Sequence, residues 1–130
     1  MTGKARPLRG ESEAEGANVR AVCWHLALAA IDGPTDELAL TMAPEFRLHL
    51  DGCATDRWGY FALIEANRAA HATWPPLDVE DAFGRGHFVT ARLEPRCIAH
   101  FRLVDGLIAE LWMTVDWHTW RTWLMHHTMT

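Results

Sequence analysis

The run Ile98-Ala-His-Phe-Arg-Leu-Val-Asp-Gly-Leu-Ile-Ala-Glu-Leu-Trp-Met-Thr-Val-Asp116 decides the fold. Asp105-Gly106 sits between two segments that alternate apolar and polar residues, a strong local signal for a β-hairpin. Working outward, Gly84-Arg-Gly86 and Pro95-Arg96 punctuate further alternating runs. The pattern predicts four strands, over Asp78 to Gly84, His87 to Glu94, Cys97 to Val104 and Leu107 to Val115. Alternation gives one face Val89, Ala91, Leu93, Ala99, Phe101, Leu103, Leu111, Met113 and Val115. The other face receives Arg92, Glu94, His100, Arg102, Glu110, Trp112 and Thr114, where Arg102 can pair with Glu110 across strands.

Upstream of these strands the period changes. Asn18 to Ile31 has helical spacing, with Val19, Val22, Cys23, Leu26 and Ala30 on one stripe and Trp24, Leu28 and Ile31 on a second. Asp32-Gly-Pro34 stops that helix. Thr35 or Asp36 can cap a short helix through Met42. Phe46 to Leu50 alternates as a strand before Asp51-Gly52 turns the chain. Asp56 to Thr73 reads as a third helix, with Trp58, Phe61, Leu63 and Ile64 near one side, ended by Pro75-Pro76. Trp117 to His126 reads as a closing helix. Helices segregated from an antiparallel meander define the α+β class. The boundaries that follow are a mobile tail over 1–16, one domain over 17–126 and a C-terminal tail over 127–130.

Composition excludes several functions. The 130 residues fit one domain, and the net charge of -5 gives no support for nucleic-acid binding. The longest apolar run, Leu26 to Ile31, is too short for a membrane, and the first 16 residues have no apolar core, so no signal peptide is read. Cys23, Cys53 and Cys97 have no disulfide or zinc spacing and read as thiols of a reducing, cytoplasmic setting. His49-Leu-Asp51 and His126-His127 find no third ligand at a recognisable spacing, so no metal is expected. No phosphate loop or Ser nucleophile motif occurs, and the thiols lack a His/Asp relay, so no cofactor or covalent step is expected.

Gly106 to Asp116 resembles the closing strand, G-K-I-x-E-x-W-x-x-x-D, of the nuclear transport factor 2-like superfamily, with Leu107 in place of Lys. Ile98 to Gly106 and Trp74-Pro-Pro-Leu-Asp-Val-Glu80 are similar to the segments that precede it. The resemblance covers residues 18 to 124 and is nearest to SnoaL-like polyketide cyclases and ketosteroid isomerases. It implies a cone-shaped α+β barrel, three N-terminal helices on a curved antiparallel sheet enclosing an apolar cavity. It also implies a homodimer through the sheet face, where Trp112 is suited to an interface, its other reading being cover by the chain's own terminus. The implied activity is a cofactor-free cyclase, dehydratase or isomerase acting on a polycyclic, polyketide-derived ketone of antibiotic-type biosynthesis. A non-catalytic binding module or partner subunit with the same fold is the alternative.

The residues suggest roles within that activity. Asp51 resembles the isomerase base, and a carboxylate facing an apolar cavity gains basicity by desolvation. Its other reading is the start of the Asp-Gly turn. The isomerase acid is replaced by Ala99, and the isomerase Tyr donor by Trp24 or His25. His25 could donate to an oxyanion, or be a buried His bonded to a carbonyl. Asn67 and His71 share a face of the third helix, where Asn67 could hold a substrate oxygen, or both could lie on the solvated side. Asp116 matches the general acid/base of SnoaL-like cyclases, yet alternation aims it away from the cavity unless a bulge redirects it. Its other role is a helix cap. Trp24, Tyr60, Leu63, His71, Val89, Phe101 and Met113 are the expected substrate contacts.

Overall fold

A computed structural model describes residues 11–30, 35–50, 52–70, 78–94 and 97–115. Its elements are α1 (Glu13–Ala30), α2 (Thr35–Ala39), β1 (Met42–Leu50), β2 (Cys53–Asp56), α3 (Arg57–Ala70), β3 (Asp78–Arg85), β4 (Phe88–Glu94), β5 (Cys97–Val104) and β6 (Leu107–Val115). The strands form one sheet in the order β2-β1-β6-β5-β4-β3. The expected α+β architecture holds, and β3 to β6 match their sequence reading to within a residue. The sheet is mixed rather than wholly antiparallel, because β1 runs parallel to β6. β2 is an addition: its four residues pair antiparallel with β1. Gly52 has φ of 80°, a backbone state glycine enters without a Cβ penalty. The expected closing helix lies outside the described residues.

Helix α1 starts at Glu13, five residues earlier than its periodicity suggests. A capping box sets the start: Ser12 N–H donates to Glu15 Oε1 at 2.7 Å and Glu15 N–H to Ser12 Oγ at 3.1 Å. Residues 13–16, which the sequence reading places in the tail, are therefore helical. They are also tied to the β3–β4 hairpin. Gly84 N–H donates to Glu11 Oε2 at 2.7 Å, and Gly86 N–H to Glu15 Oε2 at 2.5 Å. The Ser12 and Gly86 N–H groups hold the Glu15 carboxyl below its ordinary range.

The inner face of the sheet is built to seat α1 closely. Ala82, Ala91 and Ala99 are register partners across β3, β4 and β5, and all are buried. This small-residue row leaves room for the helix above it. At Gly84 the approach is closer still, since a Cβ there would lie 2.8 Å from the Glu15 carbonyl oxygen. The flanking rows supply bulk: Val89, Phe101 and Leu111 in one, Leu93 and Cys97 in the other. Each large apolar side chain so buried contributes about 1.5–3 kcal/mol. On β6 the register shifts between Arg102 and Leu103, leaving Ala109 as an extra residue, so Ile108 and Ala109 are both buried.

Replacing Gly84 with Ala should therefore cost about 1–3 kcal/mol, because the clash is with backbone rather than with a movable side-chain end. Urea unfolding measures it. An unchanged midpoint would show that α1 is not seated as closely as described.

Candidate functional site

The buried polar centre of the protein is His25, a residue of α1 with no solvent exposure. Its Nδ1 lies 2.7 Å from Thr41 Oγ1, and its Nε2 lies 2.8 Å from the Tyr60 hydroxyl. The network fixes the tautomer. Thr41 Oγ1 donates its one proton to the Leu38 carbonyl at 2.6 Å, so it can only accept from His25. Nδ1 therefore carries the hydrogen, and Nε2 accepts from the Tyr60 hydroxyl. Desolvation lowers the imidazole pKa to about 3, which keeps the ring neutral. Burial likewise pushes the Tyr60 phenol up, so it stays protonated. The imidazole stacks on Tyr60 at 5.7 Å and meets the edge of Phe101 at 6.2 Å.

This geometry corrects the oxyanion reading of His25. Both ring nitrogens are already engaged within the protein, so neither is free to donate to a substrate oxygen. Tyr60, an expected substrate contact, is 5% exposed and spends its proton on His25. The carbonyl-bonded alternative was close, but the partners are side chains. Thr41 was the missed member, and a lone Thr between a short helix and a strand carries no sequence signal for such a bond.

The remaining expected residues divide clearly. Val89 and Phe101 are fully buried on the inner sheet face, and Met113 is partly buried there. Trp24 is 59% exposed on the side of α1 opposite Val22, Cys23 and Leu26, so it does not join them. Leu63 is exposed on α3. Asn67 lies within α3, but its side chain is not described. Asp51, His71 and Asp116 lie outside the described residues. The one bulge of β6 precedes Glu110, and no register shift follows it up to Val115. Alternation is therefore intact on the approach to Asp116.

Among the described residues, the inner faces of β4 and β5 are sealed. The neighbouring pair Leu50 and Met113 is only partly buried. These two are register partners on the parallel strands β1 and β6, and Ile64 of α3 is also partly buried against the core. Sequence reasoning named Met113 but not Leu50 or Ile64. The parallel pairing that brings Leu50 beside Met113 has no local signature. Burial pushes the Cys97 thiol up to about 11 and raises that of Cys23, so neither favours a thiolate. No group of three or more His, Cys, Asp and Glu among the described residues could hold a metal. No described helix is long and apolar enough to cross a membrane.

A second polar cluster occupies the outer sheet face. Glu110 accepts from Arg102 Nε at 2.9 Å, the pairing expected from alternation, and from His49 Nε2 at 2.7 Å. Partial burial raises the Glu110 pKa, but these two hydrogen bonds and their charge outweigh it and hold the carboxyl below its usual range. The His49 ring stacks on Trp112 at 5.2 Å with 9° between planes.

No family model matches the sequence, and no curated protein matches it. Solved structures do match. A candidate polyketide cyclase from Bacillus cereus has a TM-score of 0.74 at 22% identity, over 94% of this chain and 90% of that one. IdmH from Streptomyces antibioticus, a candidate polyketide cyclase, has a TM-score of 0.73 at 19% identity, over 82% and 97%. A candidate SnoaL-like polyketide cyclase from Jannaschia sp. CCS1 has a TM-score of 0.65 at 25% identity, over 85% and 93%. A candidate ketosteroid isomerase is a further neighbour. The fold is thus that of the nuclear transport factor 2-like, SnoaL-like group.

The neutral His25 has a pH signature. Its folded pKa of about 3 lies below the ordinary 6.5, so an unfolded chain takes up a proton that the folded one refuses. Stability is full above pH 6.5 and falls as pH drops through 6.5 towards 3, by up to about 1.4 kcal/mol per unit. Replacing His25 with Phe should cost about 2–4 kcal/mol and remove that slope. Denaturant unfolding of both proteins from pH 8 to 4 gives the difference. Parallel pH curves would refute the neutral buried imidazole.

Proposed function

We propose that the protein is a cofactor-free, cyclase-type acid–base catalyst acting on a flat, polycyclic, polyketide-derived ketone. The observation that carries this reading is the partly open stretch of inner face at Leu50 and Met113. Asp51 follows Leu50 directly, and Asp116 follows Met113 by three residues. β1 and β6 run parallel with Leu50 opposite Met113, and this reading takes Asp51 to that end of the sheet and, with a turn of the chain after Val115, Asp116 as well. A ketone lying over Leu50, Met113 and Ile64 would meet apolar surface on its ring face and carboxylates at its edge.

The chemistry needs no more than that. A C–H next to a carbonyl loses its proton to a positioned carboxylate, the enolate oxygen takes a hydrogen bond, and the carbanion closes the ring or expels hydroxide. Asp51 serves as base, Asn67 as the oxygen's partner, and Asp116 as the alternative acid/base. Desolvation beside the apolar wall raises the basicity of such a carboxylate. Tyr60, through His25, keeps the helices that frame this site in register.

One observation favours a second reading. The described inner sheet face is apolar throughout, with Ala99 where the isomerases carry an acid. A binding module would need no more than this wall. Self-association through the outer face belongs to either reading. Phe88 and Ile98 are 49% and 45% exposed there beside Trp112, an exposed apolar set of the kind that marks interaction surfaces.

Asp51→Asn and Asp116→Asn, made separately, are expected to show which carboxylate moves the proton. Loss of the true base lowers kcat/KM by about 10²–10⁴-fold with polycyclic ketone substrates, followed by product chromatography. Full activity in both variants ends the assigned chemistry. Quenching of Trp fluorescence by the ketone without product establishes the binding module.

A further inference from the structure

β3 is the last strand of the sheet, and no described strand pairs with its outer edge. Gly84 shows which way that edge faces, because its N–H turns away from β4 and donates to Glu11 Oε2. Hydrogen-bonding groups alternate sides along a strand. Ala82, two residues back in unbroken register, therefore turns its N–H and C=O to the same edge. Ala82 is 0% exposed, and no described residue bonds to it from that side. Close by, Glu11 Oε1 is buried without a hydrogen-bond partner among the described residues. Buried backbone groups and carboxylate oxygens are nearly always partnered, so both need one here.

We propose that the outer edge of β3 is the docking site of this chain's own residues 1–10, which add there as a further strand parallel to β3. These residues lie outside the described ones and precede Glu11 directly. Glu11 fixes where they leave off, at Gly84. From Gly84 the edge runs back towards Asp78, since β3 ends at Arg85. A segment that reaches Gly84 from the Asp78 end runs parallel to β3. The reach is ample. Ten extended residues span about 33 Å, and the straight part of β3, from Asp81 to Arg85 beyond its register shift, spans about 16 Å.

Charge favours the same occupant. Residues 1–10 hold Lys4, Arg6 and Arg9 and no acidic residue. β3 and β4 beside it hold Asp78, Glu80, Asp81 and Glu94 against Arg85 and Arg92. Arg92 pairs loosely with Glu80 at 3.9 Å, and Asp81 is exposed with no ion pair among the described residues. Arg85 stands at the hairpin end, off the course of the added strand. α1 brings Glu13 and Glu15 against Arg20. A basic segment thus meets an acidic edge. Pro7 supplies the register. It has no N–H, so it turns outward together with Ala5 and Arg9, and leaves Arg6, Leu8 and Gly10 to bond with β3. Proline on the free side also stops further growth of the sheet, which closes this edge to strands of other chains.

Amide hydrogen exchange of the isotope-labelled full chain, read residue by residue by NMR, tests this, with the β5 and β6 amides as internal controls on the fold. The Arg6 and Leu8 amides should exchange about tenfold or more slower than those of Ala5 and Arg9. Leu8→Pro removes an inward donor and should speed exchange at Ala82 by about tenfold or more, whereas Ala5→Pro, on the outward side, should leave it unchanged. Arg6→Glu, which sets like charges together near Asp81, should speed exchange at Leu8 by about tenfold. Fast exchange without alternation over residues 4–10 overturns the proposal. So does an Ala82 amide indifferent to Leu8→Pro, which gives the edge to another segment. Wild-type rates in Arg6→Glu overturn the course past Asp81. Protection of Ala82 that grows with protein concentration assigns the edge to a second copy instead.

Discussion

The neutral imidazole of His25 is the constraint on which the rest of the arrangement depends. A buried polar group is costly unless every hydrogen-bonding site is satisfied. Here the satisfaction comes from three different places in the chain. Tyr60 belongs to α3, Thr41 to the junction before β1, and Leu38, the last acceptor, to α2. Any shift of α1 against these elements breaks at least one bond inside an apolar interior. The network therefore sets register where apolar packing alone would tolerate sliding. It also explains why the imidazole is neutral: a second ring proton would face the Tyr60 oxygen, and the ring's partners among the described residues are hydroxyls, not carboxylates.

That register matters because the sheet offers the helices little else that is directional. The row of Ala82, Ala91 and Ala99 is smooth and would accept α1 at more than one height. Two carboxylates fix the height at the hairpin end, Glu11 on Gly84 and Glu15 on Gly86, and His25 fixes it nearer the other end of the helix. With α1 and α3 so held over the sheet, Leu50 and Met113 remain as partly covered inner-face residues. The candidate site is a consequence of where the helices stop covering the sheet rather than of a dedicated motif.

The legible part of the sequence was the part governed by local rules. β3 to β6 were readable because their alternation is long and their turns carry Gly, Pro or Asp-Gly. The Arg102–Glu110 pair was expected from alternation along the two strands, but the Ala109 bulge is what makes it, since an unbulged Asp105-Gly106 hairpin would set Arg102 opposite Ala109. What local rules could not give was pairing between distant segments. Nothing in Met42–Leu50 says that it will lie parallel to Leu107–Val115, and four residues of β2 are too few to alternate convincingly. Trp24 shows the opposite failure. Hydrophobicity suggested an inward position, but helix geometry places it opposite the stripe that is buried. The capping box of Ser12 and Glu15 was present in the sequence and outweighed by the charged composition around it.

The seven Trp of this short chain gain a sharper meaning from the two faces of the sheet. An aromatic excess invites the expectation of a stacked ligand, yet the inner face presents Ala, Val and Leu with Phe101, and no described Trp lines it. Trp24 and Trp58 are exposed on helices, Trp58 beneath the Arg57 guanidinium at 5.0 Å. Trp112 lies on the outer face, clamped by His49. A flat substrate on the inner face would therefore be held by aliphatic and thioether contact at Leu50, Ile64 and Met113 rather than by indole stacking. Such contacts are less demanding of ring orientation than an aromatic stack. On the proposed reading, the directional part of recognition falls to Asp51, Asn67 and Asp116, the groups that the proposed chemistry requires.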